Sequence, residues 1–250
     1  MSIAERIDSI REKMEKAALR SGRMPGDIQL MGVSKFHGCD KIGEAVKVGI
    51  SLFGESRVQE AAKKFPALKE KYPGICLHLI GKLQRNKVKN VSGIFDGVQS
   101  LDRDELIIAL GNVHTGKPLP VLLEMHTGEA TKSGYPNEDA LSRAVELVLS
   151  FSGLILSGLM TMAPFVRQIG EFEERLIRQS FRKLTAVRVR LQQRFPHVDF
   201  SCLSMGMSND YEIAIEEGST LVRIGTALFG TPSEDLTDAA RTGDPPGEMQ

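Results

Sequence analysis

The feature that most restricts the fold of this chain is a regular alternation of short apolar segments with longer segments of helical periodicity. Counted from Gln29, the apolar segments number eight, and helical patterns occupy the connections between them. Parallel strands need such crossover connections, and eight strand–helix units at this chain length are typical of a closed barrel. The sequence therefore predicts the α/β class and a single (β/α)8 TIM barrel with an extra N-terminal helix.

The predicted strands are short apolar runs bounded by turn residues. They lie near residues 29–35, 50–54, 75–80, 97–100, 120–125, 154–159, 200–203 and 221–224. The predicted helices cover residues 39–48, 56–71, 84–91, 102–112, 137–149, 171–195 and 209–217. We expect one domain over residues 1–232, because no shift in composition marks a boundary. Residues 233–250 are polar and rich in proline and glycine, so we expect a mobile tail.

Several helix starts are indicated by a capping box, in which a polar residue precedes Glu or Gln by three positions. Three predicted helices begin with such a pair: Ser2 with Glu5, Ser56 with Gln59, and Asp102 with Glu105. In the long helix 171–195, seven apolar residues recur on the side expected to be buried: Phe172, Leu176, Phe181, Leu184, Val187, Leu191 and Phe195.

The charge balance excludes bulk attraction to nucleic acid or to an anionic membrane. Lys plus Arg number 32 and Asp plus Glu number 32. Residues 147–166 lack a charged side chain and are long enough to cross a bilayer, but Ser150, Gly153, Gly158 and Pro164 interrupt them. A helix end, a turn and a buried strand suit this stretch better, so we expect neither a membrane nor a nucleic-acid partner.

The cysteines indicate a reducing compartment. Cys39, Cys76 and Cys202 are far apart in the sequence, without the close spacing of a metal clamp or a disulfide framework. We therefore expect a cytoplasmic protein without a metal site.

The candidate chemistry begins at Lys35, which the sequence places at the last position of the first strand. A lysine at the end of a buried strand is partly desolvated, which favours the neutral amine that attacks a carbonyl. The alternative is a lysine whose amine extends into solvent.

A phosphate site is predicted after strands seven and eight, where barrels of this class often bind phosphate. Ser208 lies in a turn of small residues before a helix, and Gly225 and Thr226 follow the last strand. Backbone N–H groups and hydroxyls there would bind an anion. Helix capping and an ordinary turn are the alternatives.

Arg223 lies between Val222 and Ile224 in a buried-strand pattern. A buried guanidinium needs an acceptor or a polar site, because an unpaired buried charge is costly. The alternative is a structural ion pair with Glu216 or Glu217. An amine, a phosphate cup and a guanidinium at one barrel mouth together match the aldehyde, phosphate and ring nitrogen of pyridoxal 5′-phosphate (PLP).

The ordered motifs of the chain resemble those of the pyridoxal phosphate homeostasis protein family over nearly the whole sequence. They are Gly-Val-Ser-Lys at 32–35, Phe-Gly-Glu-Ser-Arg-Val-Gln-Glu at 53–60, His-Leu-Ile-Gly-Lys-Leu-Gln-Arg-Asn-Lys at 78–87, Thr-Lys-Ser-Gly at 131–134, Gly-Leu-Met-Thr-Met at 158–162, Leu-Ser-Met-Gly-Met-Ser-Asn-Asp at 203–210 and Val-Arg-Ile-Gly-Thr at 222–226.

This resemblance implies a barrel similar to the N-terminal domain of alanine racemase, with PLP held as an internal aldimine on Lys35. It implies a ring-nitrogen contact from Arg223 and phosphate contacts from Ser208, Gly225 and Thr226. The family usually has Asn where this chain has Ser56, whose reach toward the ring is shorter.

The leading hypothesis is a cofactor-binding and delivery protein for PLP homeostasis, not an enzyme, with no catalytic residue assigned. Arg223 at the ring nitrogen would disfavour the protonated, electron-withdrawing pyridine that carbanion chemistry uses. A racemase also needs a second acid/base, which Tyr72, Tyr135 and Tyr211 do not obviously supply. The alternative is a PLP-dependent amino acid racemase, or a class I aldolase, that uses Lys35.

Other residues carry weaker predictions. Lys82, Arg85, Lys87 and Lys89 could bind RNA or a partner, but they fit a solvated helix face better. The resemblance implies that Lys132 helps to move PLP on or off the protein, and the alternative is an exposed loop lysine. His78 is predicted to be a hydrogen-bonded core histidine. We expect a monomer whose partners are PLP and apo forms of PLP-dependent enzymes.

Overall fold

Eight parallel strands close into a barrel in which each strand pairs with the next in sequence and the last pairs with the first. The computed structural model describes residues 1–128, 133–166 and 168–231. The predicted tail from residue 233 lies outside these residues. The strands are β1 (Gln29–Val33), β2 (Leu52–Glu55), β3 (Cys76–Leu79), β4 (Gly97–Leu101), β5 (Leu119–Glu124), β6 (Leu154–Met160), β7 (Cys202–Ser204) and β8 (Leu221–Ile224). The predicted (β/α)8 barrel is confirmed.

The helices within the described residues lie before β1, in the connections and after β8. They are α1 (Ile3–Arg20), α2 (Cys39–Lys47), α3 (Val58–Lys71), α4 (Asp104–Val113), α5 (Glu138–Leu149), α6 (Glu171–Arg194), α7 (Tyr211–Glu216) and α8 (Thr226–Phe229). The segment predicted as a helix at 84–91 is instead a 3₁₀ segment, Arg85–Asn90.

The N-terminal helix forms as predicted. The Ser2 hydroxyl accepts a bond from the Glu5 backbone N–H, and the Glu5 carboxylate accepts one from the Ser2 N–H, so the capping box is present. The apolar stripe that includes Ile3, Ile7 and Ile10 is buried where α1 packs against α2, α7 and α8. Burial of each isoleucine contributes about 1.5–3 kcal/mol, which offsets the cost of ordering this extra helix.

The main hydrophobic core lies between the outer face of the barrel and the surrounding helices. Phe53 of β2, for example, packs on Phe65 of α3 with ring centres 6.1 Å apart. The barrel interior is more polar. Ser204 of β7 donates a hydrogen bond to Gln99 of β4, and because these strands are not neighbours the bond crosses the interior.

Two predicted capping boxes are wrong. The N-cap of α3 is Arg57 rather than Ser56, and that of α4 is Arg103 rather than Asp102, and neither cap makes a side-chain bond. Asp102 pairs with Arg103 instead, at 2.6 Å.

The start of α6 also differs from the prediction, because Phe172 is 61% exposed and Leu176 is 37% exposed. Burial begins at Ile177, next to Arg178, whose ion pairs with Glu216 and Glu217 join α6 to the end of α7. Phe172 and Leu176 lie in the turns of α6 that precede this contact, so α7 does not cover them.

The uncharged stretch 147–166 forms the end of α5, a turn and then β6, as predicted. Among the described residues, no helix combines the length and the apolar character needed to cross a membrane.

Gly158 in β6 gives a direct test of the barrel geometry. Its φ is +147°, and a Cβ atom there would lie 1.9 Å from the carbonyl oxygen of Cys202 on β7. We expect Gly158→Ala to lower the free energy of unfolding by at least about 2 kcal/mol, measured by urea denaturation, because strain and a backbone clash add together.

Gly26→Ala is the matched control, since no atom lies within 4 Å of the added Cβ and its φ is not positive. We expect a change below about 0.5 kcal/mol for this variant. Equal stability of the two variants would contradict the strand pairing described here.

Candidate functional site

The carboxyl ends of β1 and β8 lie side by side and carry most of the residues that the sequence singles out. The strands pair in register from Gln29 with Leu221 to Gly32 with Ile224. A Cβ atom placed on Gly225 would lie 3.4 Å from the Cβ atom of Val33, so the following residues are also neighbours. The structure therefore brings the turn after β1 and the segment after β8 to one rim of the barrel.

Lys35 lies in this turn, two residues beyond the end of β1, and its side chain is exposed. The expectation of a partly buried lysine at the last strand position is therefore wrong. The ladder ends where Val33 pairs with Gly54, and in the turn that follows Ser34 and His37 are buried whereas Lys35 is not. The Lys35 amine lies 5.9 Å from the centre of the Phe36 ring, and the residue as a whole is exposed.

Ser208 and the start of α8 lie together at the same rim. The Ser208 hydroxyl accepts a hydrogen bond from the backbone N–H of Ala227 at 3.3 Å. Ala227 follows Gly225 and Thr226, and the Thr226 side chain is exposed. The loops after β7 and β8 therefore converge as predicted, and they present hydroxyls and backbone N–H groups, the donors that bind anions.

Arg223 is buried in the barrel interior, with only 4% of its surface exposed. One guanidinium nitrogen donates to the Ser204 hydroxyl at 2.6 Å, and the other terminal nitrogen donates to the Thr161 carbonyl at 3.0 Å. Burial lowers the pKa of this guanidinium, while the negative charges of Asp210 and Glu124 raise it. A guanidinium has five N–H donors, so these two bonds orient it without using all of them.

The alternative ion pair between Arg223 and Glu216 or Glu217 is wrong. Glu216 bonds to Arg20 and Arg178, and Glu217 bonds to Arg178 and Arg182. These pairs join the outer helices α1, α6 and α7, whereas Arg223 is directed into the barrel.

The hydrogen bonds of Arg223 continue across the interior through three strands. Ser204 donates to the Gln99 amide oxygen at 2.7 Å, and the Gln99 amide nitrogen lies 3.0 Å from Nδ1 of His78. Burial lowers the pKa of His78 to about 4, so its ring is neutral. The predicted hydrogen bond of His78 is confirmed, although the residue is half-buried rather than fully enclosed in the core.

Ser56 follows β2 and is half-buried. Its backbone packs closely on Gly81, where an added Cβ would lie 2.2 Å from the Ser56 carbonyl oxygen. This contact places Ser56 near the carboxyl end of β3, close to the rim. Its contact with the cofactor ring stays a prediction.

The remaining predicted residues are tyrosines, the basic residues near the 3₁₀ segment, and Lys132. Tyr135 donates to the Asp104 carboxylate at 2.9 Å, and Tyr211 is buried in α7. The basic side chains around the 3₁₀ segment are exposed except for Lys87, which is half-buried. Lys132 lies outside the described residues.

Glu124 is a residue of the mouth that the sequence analysis did not identify. It ends β5 and is 4% exposed. The pKa of its carboxyl is raised to about 7, chiefly by burial and also by the charge of Asp102, while the charges of Arg223 and Lys82 act in the opposite direction. Because Asp102 and Lys82 follow β4 and β3, Glu124 faces the carboxyl end of the barrel.

The sequence analysis also missed the residues that hold Arg223. Ser204 and Thr161 belong to motifs that carry the family resemblance, and Gln99 lies in a predicted strand. The available signal was the position of Ser204 at the end of β7, the strand adjacent to Arg223. Gln99 gave no comparable signal, because its link to Arg223 runs through Ser204, which is 105 residues away in the sequence.

Two of the larger cavities lined by the described residues lie near the barrel ends. One, of about 480 Å³, is lined by Ser208, Asn209 and Ala227 together with Arg6 and Lys13 of α1, and so adjoins the Ser208 cluster. The other, of about 420 Å³, lies at the amino ends of β1 and β2, opposite the rim described above.

The raised pKa of Glu124 predicts a pH-dependent cost to stability. Because the pKa is about 7 in the folded chain and near 4.5 without the fold, the folded state binds more protons between these values, and stability falls as the pH rises. Glu124→Gln removes this titration. We expect its stability relative to wild type to be greater at pH 8 than at pH 5 by up to about 3 kcal/mol, measured by urea unfolding.

The control is Glu15→Gln at an exposed position of α1. Its stability relative to wild type should be the same at both pH values. A similar pH independence for Glu124→Gln would show that the Glu124 carboxyl is not held in a desolvated position.

Comparison with known proteins agrees with the family predicted from the motifs. The family model described as alanine racemase, N-terminal domain, matches residues 6–233. The pyridoxal phosphate homeostasis protein of Aquifex aeolicus is 39% identical over 233 residues, which cover 92% of this chain and 98% of the relative. The protein of the same name from Vibrio alginolyticus is 38% identical over 234 residues, covering 92% and 97%.

A solved structure shows the same architecture. PipY of Synechococcus elongatus PCC7942, determined with PLP bound, is similar with a TM-score of 0.78 and 32% sequence identity. The similarity covers 92% of this chain and 100% of PipY. The chain therefore belongs to the pyridoxal phosphate homeostasis protein family, whose members have the alanine racemase N-terminal domain fold.

Proposed function

We propose that this protein binds PLP at the carboxyl end of the barrel, holds it on the Lys35 amine, and buffers or delivers it in PLP homeostasis. The observation that carries the proposal is the pairing of β1 with β8, which sets the Lys35 turn beside Ser208 and the Gly225–Thr226 segment. An amine and a group of anion donors at one rim match the aldehyde and the phosphate of a single PLP molecule.

The phosphate would be held by Ser208, Gly225 and Thr226. The Ser208 and Thr226 hydroxyls and the backbone N–H groups after β8 supply donors of the kind that bind phosphate. An added Cβ on Gly225 would make only an ordinary van der Waals contact with Val33, so packing within the protein does not require glycine there. A glycine at this position leaves the backbone open to a phosphate oxygen.

When bound, PLP would supply an aldehyde that condenses with a primary amine, with loss of one water, and a conjugated ring that absorbs visible light. Lys35 would supply the amine, because it lies beside the donor cluster and is accessible from solvent. Ser56, near the rim, would donate its hydroxyl toward the ring in place of the longer Asn side chain that is usual in the family.

Arg223 would contact the ring nitrogen. Its bonds to Ser204 and Thr161 keep a permanent positive charge below the rim, and a positive charge next to the ring nitrogen opposes protonation of that atom. A neutral pyridine is a weaker electron sink, so Arg223 favours secure binding over rapid carbanion chemistry.

The tyrosines support a carrier rather than a racemase. Tyr135 is hydrogen-bonded to Asp104, and burial together with that carboxylate raises the pKa of its hydroxyl. Burial raises the pKa of Tyr211 to about 12. The Tyr72 hydroxyl packs against Gly43 of α2, where an added Cβ would lie 2.8 Å from its oxygen. The raised pKa values of Tyr135 and Tyr211 make the phenolate form of these two residues rarer, and the phenolate is the form that accepts a proton.

The relatives and the composition support the same function. Relatives of 34–39% identity bear the name pyridoxal phosphate homeostasis protein, and the PipY structure was determined with PLP bound. Three unpaired cysteines and balanced charge are consistent with a reducing cytoplasm and with partners other than nucleic acid. The proposal includes a monomer that transfers PLP to apo forms of PLP-dependent enzymes.

The test is the visible absorption of the purified protein after addition of PLP. We expect a band from the covalent adduct in wild type and its loss in Lys35→Ala, because the variant lacks the amine. Lys82→Ala is the matched control, an exposed lysine in the loop after β3, and should retain the band. A band of full intensity in Lys35→Ala would show that another amine binds PLP.

The carrier and racemase functions are separated by two further assays on the PLP-loaded protein. We expect activation of an apo PLP-dependent enzyme and, with alanine or another amino acid, no rapid racemisation measured by chiral chromatography. Rapid turnover of an amino acid that depends on Lys35 would replace the carrier proposal with the racemase.

A further inference from the structure

The turn that carries Lys35 is held by charged side chains from neighbouring elements. Within it, the backbone N–H of His37 bonds to the carbonyl of Ser34 at 3.1 Å. From outside, the Ser34 hydroxyl donates to the Glu55 carboxylate at 2.7 Å, and the Phe36 N–H donates to the Glu60 carboxylate at 2.8 Å. Residues of β2 and α3 thus bind the chain on both sides of Lys35.

Lys64 of α3 is the centre of these contacts. The three N–H groups of its ammonium are shared among four acceptors. These are the carbonyls of Ser34 and His37 at 3.1 and 3.2 Å and the carboxylates of Glu55 and Glu60 at 2.6 and 2.8 Å. The Lys64 side chain is 13% exposed and that of Glu55 is fully buried. A desolvated lysine with these four acceptors is held in one place, and it holds the carbonyls on either side of Lys35.

The backbone of the turn is strained, so it depends on outside contacts. Phe36 has a φ of +66°, the only positive φ of a non-glycine residue among those the structure describes. Such strain persists where surrounding contacts over-determine the conformation, and it is concentrated at functional sites. The Glu60 bond to the Phe36 N–H and the Lys64 bonds on either side supply these contacts.

The His37 side chain of the turn contacts α8, the helix that begins at the proposed phosphate site. The His37 ring stacks on Phe229 with ring centres 5.0 Å apart and planes inclined by 29°. Phe229 is the last residue of α8, whose start carries the Thr226 and Ala227 N–H groups. The Lys35 turn therefore lies between Lys64 and the element that would bind phosphate.

We propose that Lys64 is a positioning residue for Lys35. It holds the strained 34–37 turn so that the Lys35 amine meets the aldehyde of a PLP molecule whose phosphate is bound at Ser208 and Gly225–Thr226. This inference rests on the proposed function and extends it to a residue that does not touch the cofactor. Lys64 would act by orienting the Lys35 amine. Small displacements of a reacting group lower a reaction rate by large factors.

The test compares two ligands that share a phosphate and a ring but differ in the reactive group. PLP has the aldehyde that reacts with Lys35, whereas pyridoxine 5′-phosphate has an alcohol there and does not. For Lys64→Met we expect the rate of appearance of the PLP absorption band to fall about ten-fold or more. We expect the affinity for pyridoxine 5′-phosphate, measured by titration calorimetry, to remain within about two-fold of wild type, because that ligand does not use the amine.

Lys63→Met is the matched control, since Lys63 is the preceding residue on the same helix and is exposed. It should match wild type with both ligands. Lys64→Arg keeps the positive charge and should recover part of the rate. If Lys64→Met does not fold, judged by circular dichroism, Glu60→Gln replaces it. That variant keeps an acceptor for the Phe36 N–H. We expect the rate of appearance of the PLP band to fall several-fold and the affinity for pyridoxine 5′-phosphate to stay unchanged.

Each outcome bears on one proposal. Equal PLP rates in Lys64→Met and Lys63→Met, with a band that still depends on Lys35, would overturn the role of Lys64 and leave the proposed function intact. Equal losses for PLP and pyridoxine 5′-phosphate would show that Lys64 supports the whole site rather than the amine, and would also overturn it. A wild-type protein that forms no Lys35-dependent band would instead overturn the proposed function.

Discussion

Pairing of β1 with β8 is the interaction on which the rest of the site depends. The barrel closes only where Gln29–Gly32 bonds to Leu221–Ile224, and this closure brings the first and last strands together at one rim. A parallel barrel directs all its strands the same way, so the residues after β1 and after β8 meet at the same end. An open sheet of these strands would place β1 and β8 at opposite edges, and the Lys35 turn would lose its neighbour.

The barrel interior adds a second constraint. Barrels of this class usually fill the interior with branched apolar side chains. Here a chain of hydrogen bonds runs from the Thr161 carbonyl through Arg223, Ser204 and Gln99 to His78. A buried guanidinium without acceptors would be very costly, so this chain is what allows a permanent positive charge below the rim. Glu124 and Asp210 lie close enough to interact with that charge.

Most elements could be predicted because each is specified by a local pattern. The stripe of Ile3, Ile7 and Ile10 and the pair Ser2–Glu5 define α1 without reference to the rest of the chain. The predictions that failed depended on neighbours. Ser56 matches a capping box, yet its backbone packs on Gly81 and α3 begins later. Phe172 has helical spacing but lies before the region where α6 meets α7.

In the site, too, the features set by local sequence could be predicted and those set by tertiary contacts could not. The sequence by itself determined the order of the elements, and through the motifs it indicated Lys35, Ser208, Arg223, Gly225 and Thr226, since residue identity and spacing along the chain are local properties. Only the tertiary structure decided that Lys35 is exposed on a strained turn, that Ser204 and Thr161 hold Arg223, and that Lys64 contacts both sides of Lys35. These contacts join residues that are distant in sequence, and they form only when the barrel closes and α3 packs on its outer face.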